Sequence, residues 1–197
     1  MLNLIAGHGF VTRERAGIEH LPKEMRPFLR KIGVTFGALD IFAPALLKPA
    51  PRQLLNALGV DRRPLQDAML PVIADTKKLP SGYRHAGTQA IRIDLGEKIL
   101  RAAHETRAKA QAKDRRRKFV LDLALPISIG LEEGNIARLL GNAGFRVQKA
   151  RPLPEGQFGP PRPDQWEGRP ARRKQERQKP AQPREGNAFA ALADLVR

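Results

Sequence analysis

QAIRIDLGEKILRAAHETRAKAQAKDRRRK, residues 89–118, is the stretch on which the reading of this chain turns. Ile91, Leu95, Ile99 and Ala103 recur at helical spacing and Leu100 widens the stripe, so one face of a helix is apolar. Past Ala103 the stripe fades, and Arg107, Lys109, Lys113, Arg115, Arg116, Arg117 and Lys118 take over. The pattern predicts one helix over residues 89–117. Its first part joins a core, and its end runs out as a solvated basic extension.

Working upstream, Met25, Phe28, Leu29 and Ile32 mark a shorter helix, with Pro22 before it, Pro27 in its first turn and Gly33 as its left-handed cap. Val34, Phe36 and Ala38 alternate as a short strand does, and Phe36, Phe42, Leu46 and Leu47 are expected in the core. Pro51 opens a helix carrying Leu54, Leu55 and Leu58, closed by Gly59. Residues 61–87 hold Pro64, Pro71, Pro80 and Gly82 and read as a wrap over the surface. Residues 1–20, punctuated by Gly7, Gly9 and Gly17, read as a flexible lead-in.

Downstream, residues 119–125 read as a strand stopped by Pro126. Leu131, Ile136, Leu139 and Leu140 predict an amphipathic helix ending near Gly144, followed by a returning strand at Phe145–Val147. The expected class is mainly α with a few short strands (α+β): a small helical domain over residues 21–150 with a winged-helix-like C-terminal part. From Arg151 on, the composition changes. Eight of the 17 prolines fall there, and residues 169–184 carry seven cations against Glu176 alone. So little apolar surface cannot offset ordering entropy, and residues 151–186 read as a disordered basic tail. Phe189, Leu192 and Val196 at i, i+3, i+7 then make residues 187–197 a short amphipathic docking helix.

The charge balance narrows the function. Thirty-six Lys and Arg against 20 Asp and Glu leave +16, clustered in two runs. Neutralising phosphates releases condensed counterions, so such a chain attracts nucleic acid, and RNA is the expected partner. The candidate binding residues are Lys113, Arg115, Arg116, Arg117 and Lys118 in the inner run, with Arg169, Arg172, Arg173, Lys174, Arg177 and Lys179 in the tail. Phosphate contacts position without specifying, so no sequence preference is expected.

Chemistry is not signalled. No Cys is present, which removes disulfides, thiolate metal sites and thiol nucleophiles. The pattern G-x-x-x-x-G-K-[ST] is absent, and Gly7-His8-Gly9 has no Lys-Ser/Thr after it. His8, His20, His85 and His104 lack ligand-like spacing, and Glu132-Glu133 suits the first turn of a helix. No cofactor, metal or catalytic residue is therefore expected, and catalysis by this chain alone is not. No apolar run reaches the roughly 20 residues that span a bilayer, so a cytoplasmic protein without membrane contact is expected.

Beyond these local patterns, Arg30-Lys31-Ile32-Gly33-Val34-Thr35-Phe36-Gly37 and Phe42-Ala43-Pro44-Ala45-Leu46-Leu47-Lys48-Pro49 form a block. It resembles one that lies C-terminal to the motor domains of bacterial superfamily 2 RNA helicases of the mitochondrial degradosome type. Gly82-Tyr83-Arg84, Gln89–Asp94, Gly141–Arg146 and Ala188–Ala193 resemble further segments of that family in the same order. The resemblance covers residues 20–150 and the last ten, and its motifs are structural rather than catalytic. It implies a non-catalytic accessory module of an ATP-dependent RNA helicase, without a Walker A loop, magnesium-binding acidic box or arginine finger. The implied partners are RNA and a helicase motor subunit. The alternative is a protein-interaction module in which Phe189, Leu192 and Val196 recruit a ribosome-associated or RNA-degradation complex.

Overall fold

The structure, a computed structural model, describes residues 2–60, 70–112, 114, 117–152, 154, 156, 158–160 and 162–168. Its class is α+β. Helix α1 (Leu2–His8) leads into strand β1 (Phe10–Thr12), a short helix α2 (Arg13–Ala16) and a 3-10 turn at Ile18–His20. Helix α3 (Met25–Lys31), strands β2 (Thr35–Phe36) and β3 (Asp40–Phe42), a 3-10 turn at Pro44–Leu47 and helix α4 (Pro49–Ala57) complete the N-terminal part. The strands form an antiparallel sheet in the order β1-β3-β2, with Val11 opposite Ile41 and Phe36 opposite Ile41 on its other side.

Residues 2–20 are therefore packed structure, not a lead-in. Ile5, Val11 and Ile18 are buried with Leu29, Val34 and Ile41 in one cluster. The pattern hides them because they lie on short elements, too few residues apiece to display a period. The α3 stripe is also corrected in part. The helix forms, but only Leu29 is buried, while Phe28 and Ile32 are each 55% exposed.

The stretch read as a surface wrap contains two strands. Strands β4 (Val72–Ala74), β5 (Tyr83–Ala86) and β6 (Gln89–Arg92) form a second antiparallel sheet in the order β4-β6-β5. Tyr83 and Ala86 are buried, the Tyr83 hydroxyl donates to the Leu70 carbonyl at 2.7 Å, and the buried Arg52 on α4 donates to the Ser81 carbonyl. Helix α5 (Ile93–Ala110) begins only after β6, so residues 89–92 are strand rather than first helical turn. Ile91 still joins the core, because Ala90, Ile91 and Ile93 are all buried at that junction.

Two short helices follow, α6 (Ala124–Ser128) and α7 (Glu133–Asn142), then β7 (Phe145–Gln148) and β8 (Gln165–Gly168). The expected strand at 119–125 shrinks to Phe119, which bridges Trp166, and Pro126 sits buried inside α6. Proline is tolerated there because first-turn N–H groups lack helical partners anyway. The α7 helix and the β7 strand fall where the sequence places them. Strand β8 is the larger correction: it lies inside the stretch read as disordered, pairs with β7, and buries Trp166 to 3% exposure. Residues 169–197, including the docking helix at Phe189, Leu192 and Val196, lie outside the described residues.

The main core gathers Leu100, Phe119, Ile136, Leu139, Leu140, Phe145 and Trp166, among others, from α5, α7 and the β7–β8 pair. Phe42, Leu47 and Ile93 form a small apolar junction toward the N-terminal cluster. A buried polar seam reinforces it. Glu97 on α5 accepts from three backbone N–H groups between β2 and the start of β3: Ala38 at 2.5 Å, Leu39 at 2.8 Å and Asp40 at 2.7 Å. Arg84 on β5 donates to Asp40 at 2.9 Å. Helix α7 is pinned differently. Its buried Asn135 accepts from the Thr88 N–H at 3.0 Å and donates to Gln89 at 2.8 Å. Gly87, at φ 85°, leaves room for that amide, which a Cβ would displace.

Candidate nucleic-acid interface

Of the cations singled out in the sequence, Arg117 and Lys118 are described, and both are exposed. Lys113, Arg115, Arg116, Arg169, Arg172, Arg173, Lys174, Arg177 and Lys179 lie outside the described residues. What the structure supplies is the position of the described residues that flank the two basic runs, Arg117 and Lys118 for one and Gly168 for the other.

That place is built by α5 and β8. Phe119 and Trp166 exchange both backbone hydrogen bonds, at 3.0 and 2.7 Å, in an antiparallel bridge. Arg117 lies two residues before Phe119 and Gly168 two residues after Trp166, so this antiparallel bridge brings the two flanks near one another. Side chains on and just after the last turn of α5 fasten the same spot. Gln111 donates to the Arg117 carbonyl at 3.1 Å and accepts from Arg107 at 2.9 Å. The Arg107 guanidinium fills the space that a Cβ on Gly168 would need. Arg117 and Gly168, about fifty positions apart in sequence, are thus tied to one side chain, Arg107, the first through Gln111 and the second directly.

Further cations stand around this root. Arg107 lies 6.0 Å over the Phe145 ring, and Lys109 is exposed at the helix end. Between β7 and β8, Lys149, Arg151 and Arg162 line an open recess of about 540 Å³ together with Gln148, Pro152 and Gln165. Lys149 has an acidic neighbour, Glu133 at 3.8 Å, and both partners are exposed, so that pair is weak. Sequence reading passes over Lys149, Arg151 and Arg162 because they are scattered singly among prolines rather than in a run.

Along α5 toward its N-terminus, a second basic feature opens. Arg13, Lys98 and Arg101 border a cleft of about 590 Å³ between α5 and the β2–β3 region, with His104 at one end. The His104 ring meets Phe145 at a tilt of 59°, 4.8 Å between centroids. Burial, helped by the charge of Arg107, holds its imidazole below the ordinary range, so it is uncharged near neutrality. Lys98 and Arg101 are an i, i+3 pair on α5, a signal present in the sequence but overshadowed by the apolar stripe beside it.

Helix α7 offers no comparable surface. Its N-terminal residues Glu132 and Glu133 are exposed acids and its polar Asn135 is consumed inside. Among the described residues no His, Cys, Asp or Glu cluster gathers to hold a metal ion, and no helix is long and apolar enough to cross a membrane. Comparison with family models, curated proteins and solved structures finds no match for the chain.

Proposed function

We propose that the chain is a non-catalytic RNA-binding module that grips phosphates without reading sequence, serving as an accessory part of, or derived from, an ATP-dependent RNA helicase. The observation that carries this reading is the shared root: Arg117 at the end of the inner run and Gly168, the residue before the tail, are both fastened by Arg107, the first through Gln111. Two basic arms on one spot present their charge as one field, which raises local concentration on a polyanion more than two distant arms would.

A winged-helix-like character of the C-terminal part is favoured by order. Helix α6, a four-residue turn containing Gly130 at φ 87°, helix α7 and the β7–β8 hairpin follow one another as in a helix-turn-helix with a wing. In DNA readers of that kind the second helix presents its N-terminal residues to base edges. Here those residues are Glu132 and Glu133, which repel a phosphate groove, so the contact falls to the root and the β7–β8 recess instead.

The test is fluorescence anisotropy of a labelled single-stranded oligoribonucleotide against the full chain over a salt series. The log–log slope should be several units, about 0.7 per phosphate neutralised on a single strand. Several unrelated sequences should bind alike. Absence of binding in dilute buffer, or a salt-independent affinity, overturns the reading.

A further inference from the structure

We propose that the cleft between α5 and the β2–β3 region is a nucleotide subsite, in which Arg13, Lys98 and Arg101 take a phosphate and Phe36, Ala38 and Pro44 form the floor under a base. This extends the nucleic-acid reading, on which only the polymeric form of the ligand rests.

Size comes first. At about 590 Å³ the cleft falls in the range of small-ligand pockets, roughly 300–1,000 Å³, so one nucleotide unit is accommodated. Charge comes second. The carboxylates that line the cleft are already engaged: Asp94 is held by Arg92 at 2.5 and 3.0 Å, and Glu97 by three backbone N–H groups. Lys98 and Arg101 are exposed and have no ion pair among the described residues, while Arg13 reaches across to donate to the Gly37 carbonyl at 3.0 Å. The rim therefore carries net positive charge that the protein itself leaves unanswered.

The floor decides the ligand class. Phe36 and Ala38 are half-buried and Pro44 also lines the cleft, giving an apolar surface directly beside the cations. An acidic peptide would use the cations and leave that surface wetted. Inorganic phosphate would do the same. A nucleotide places an anion and a flat apolar face a few ångströms apart, which matches both halves of the cleft. Position agrees as well. His104, which lines the cleft, is one helical turn from Arg107 at the root, so cleft and root adjoin along α5.

The experiment uses the full chain, isotope-labelled for NMR, with AMP, inorganic phosphate, a poly-glutamate peptide and a single-stranded oligoribonucleotide as separate probes. AMP should shift the Gly37 and Ala38 amides and the His104 ring, and the oligonucleotide should shift the same signals. The exposed double variant Lys98→Ala/Arg101→Ala should keep its melting temperature. It should lose AMP affinity by about tenfold or more, the scale of removing charge-assisted hydrogen bonds. If the oligonucleotide binds while the cleft signals stay still and the double variant binds like the parent, the subsite is overturned and the root reading survives. If AMP moves the cleft but no oligonucleotide binds, the subsite stands for a free nucleotide and the RNA reading falls. Phosphate or poly-glutamate binding as tightly as AMP overturns the subsite, because the floor then contributes nothing.

Discussion

The seam between the two halves of the molecule and the root at the end of α5 are both rich in charge, and they handle it in opposite ways. At the seam, Asp40 and Glu97 are buried, and each has a named partner: Arg84 for one, three backbone amides for the other. At the root, the Arg117 and Lys118 side chains are exposed and carry no ion pair among the described residues. Buried charge answered internally fixes geometry, since removing one partner strands the other. Exposed charge left unanswered contributes little to the fold and remains available to a ligand. The field of a strongly basic chain thus comes from the second kind of site.

The sharpest way to break this comparison is to remove what joins the root to the body. Trp166→Ala deletes the largest buried side chain of β8 and opens a cavity in the main core that it shares with Phe119 and Phe145. We expect a loss of about 3–5 kcal/mol, the usual cost of truncating a buried Trp, measured by urea unfolding. Oligonucleotide affinity should fall with it under conditions where the variant is still folded, because Arg117 and Gly168 are no longer held together. Unchanged affinity in the folded variant would show that convergence is irrelevant to binding.

Next in size is the seam. Glu97→Ala leaves three backbone N–H groups without their acceptor, at a cost on the order of 3 kcal/mol. Phosphate binding at the root should be untouched, since Arg107, Gln111 and Arg117 lie at and beyond the far turns of α5. A loss of RNA affinity at temperatures where this variant is folded would mean that the seam transmits to the root.

An effect of similar size, spread over a pH window, is expected from Asp40, whose carboxyl is pushed up from 3.8 to about 6, chiefly by burial, with Arg84 opposing the rise and Glu97 adding to it. The folded state therefore holds a proton that the unfolded chain has released between those two values. The stability from this group is complete below 3.8 and is lost as pH climbs toward 6, then levels. Asp40→Asn should abolish that slope, which is on the order of 3 kcal/mol across the window, as read by melting curves at a series of pH values. A slope of opposite sign in the parent would mean that attraction to Arg84 outweighs burial.

What can be read in the sequence follows from the same division. Helices α5 and α7 are legible because long periodic stripes average over many residues, and β7 follows from the glycine stop before it. Strand β8 is not, because four residues between prolines and an Arg-rich run carry one strong signal, a lone Trp, and composition outweighs it. The first 20 residues escape for the same reason, their buried Ile5, Val11 and Ile18 being spread one to an element. The seam is beyond sequence altogether. Glu97 lies some sixty residues from the amides it holds, and nothing local in a helix announces such a partner. The cations of the inner run are plain, but that Arg117 and Lys118 come close to Gly168 depends on one bridge, Phe119 to Trp166.

The smallest effect on stability is expected where the effect on binding matters most. Arg117→Ala/Lys118→Ala removes two exposed side chains while the Arg117 carbonyl keeps its bond from Gln111. Stability should move by no more than about 0.5 kcal/mol, as for surface changes that leave packing alone. Affinity should weaken to a similar degree for every RNA sequence, and the salt slope should shrink by about one unit for each phosphate that is no longer neutralised. Charge acting through a field cannot distinguish one base from another, so a variant that hurts one sequence alone would point to direct reading of bases by these side chains. A variant that lowers the melting temperature as much as Glu97→Ala would erase the difference between root and seam, because Arg117 and Lys118 would then be holding the fold rather than facing a ligand.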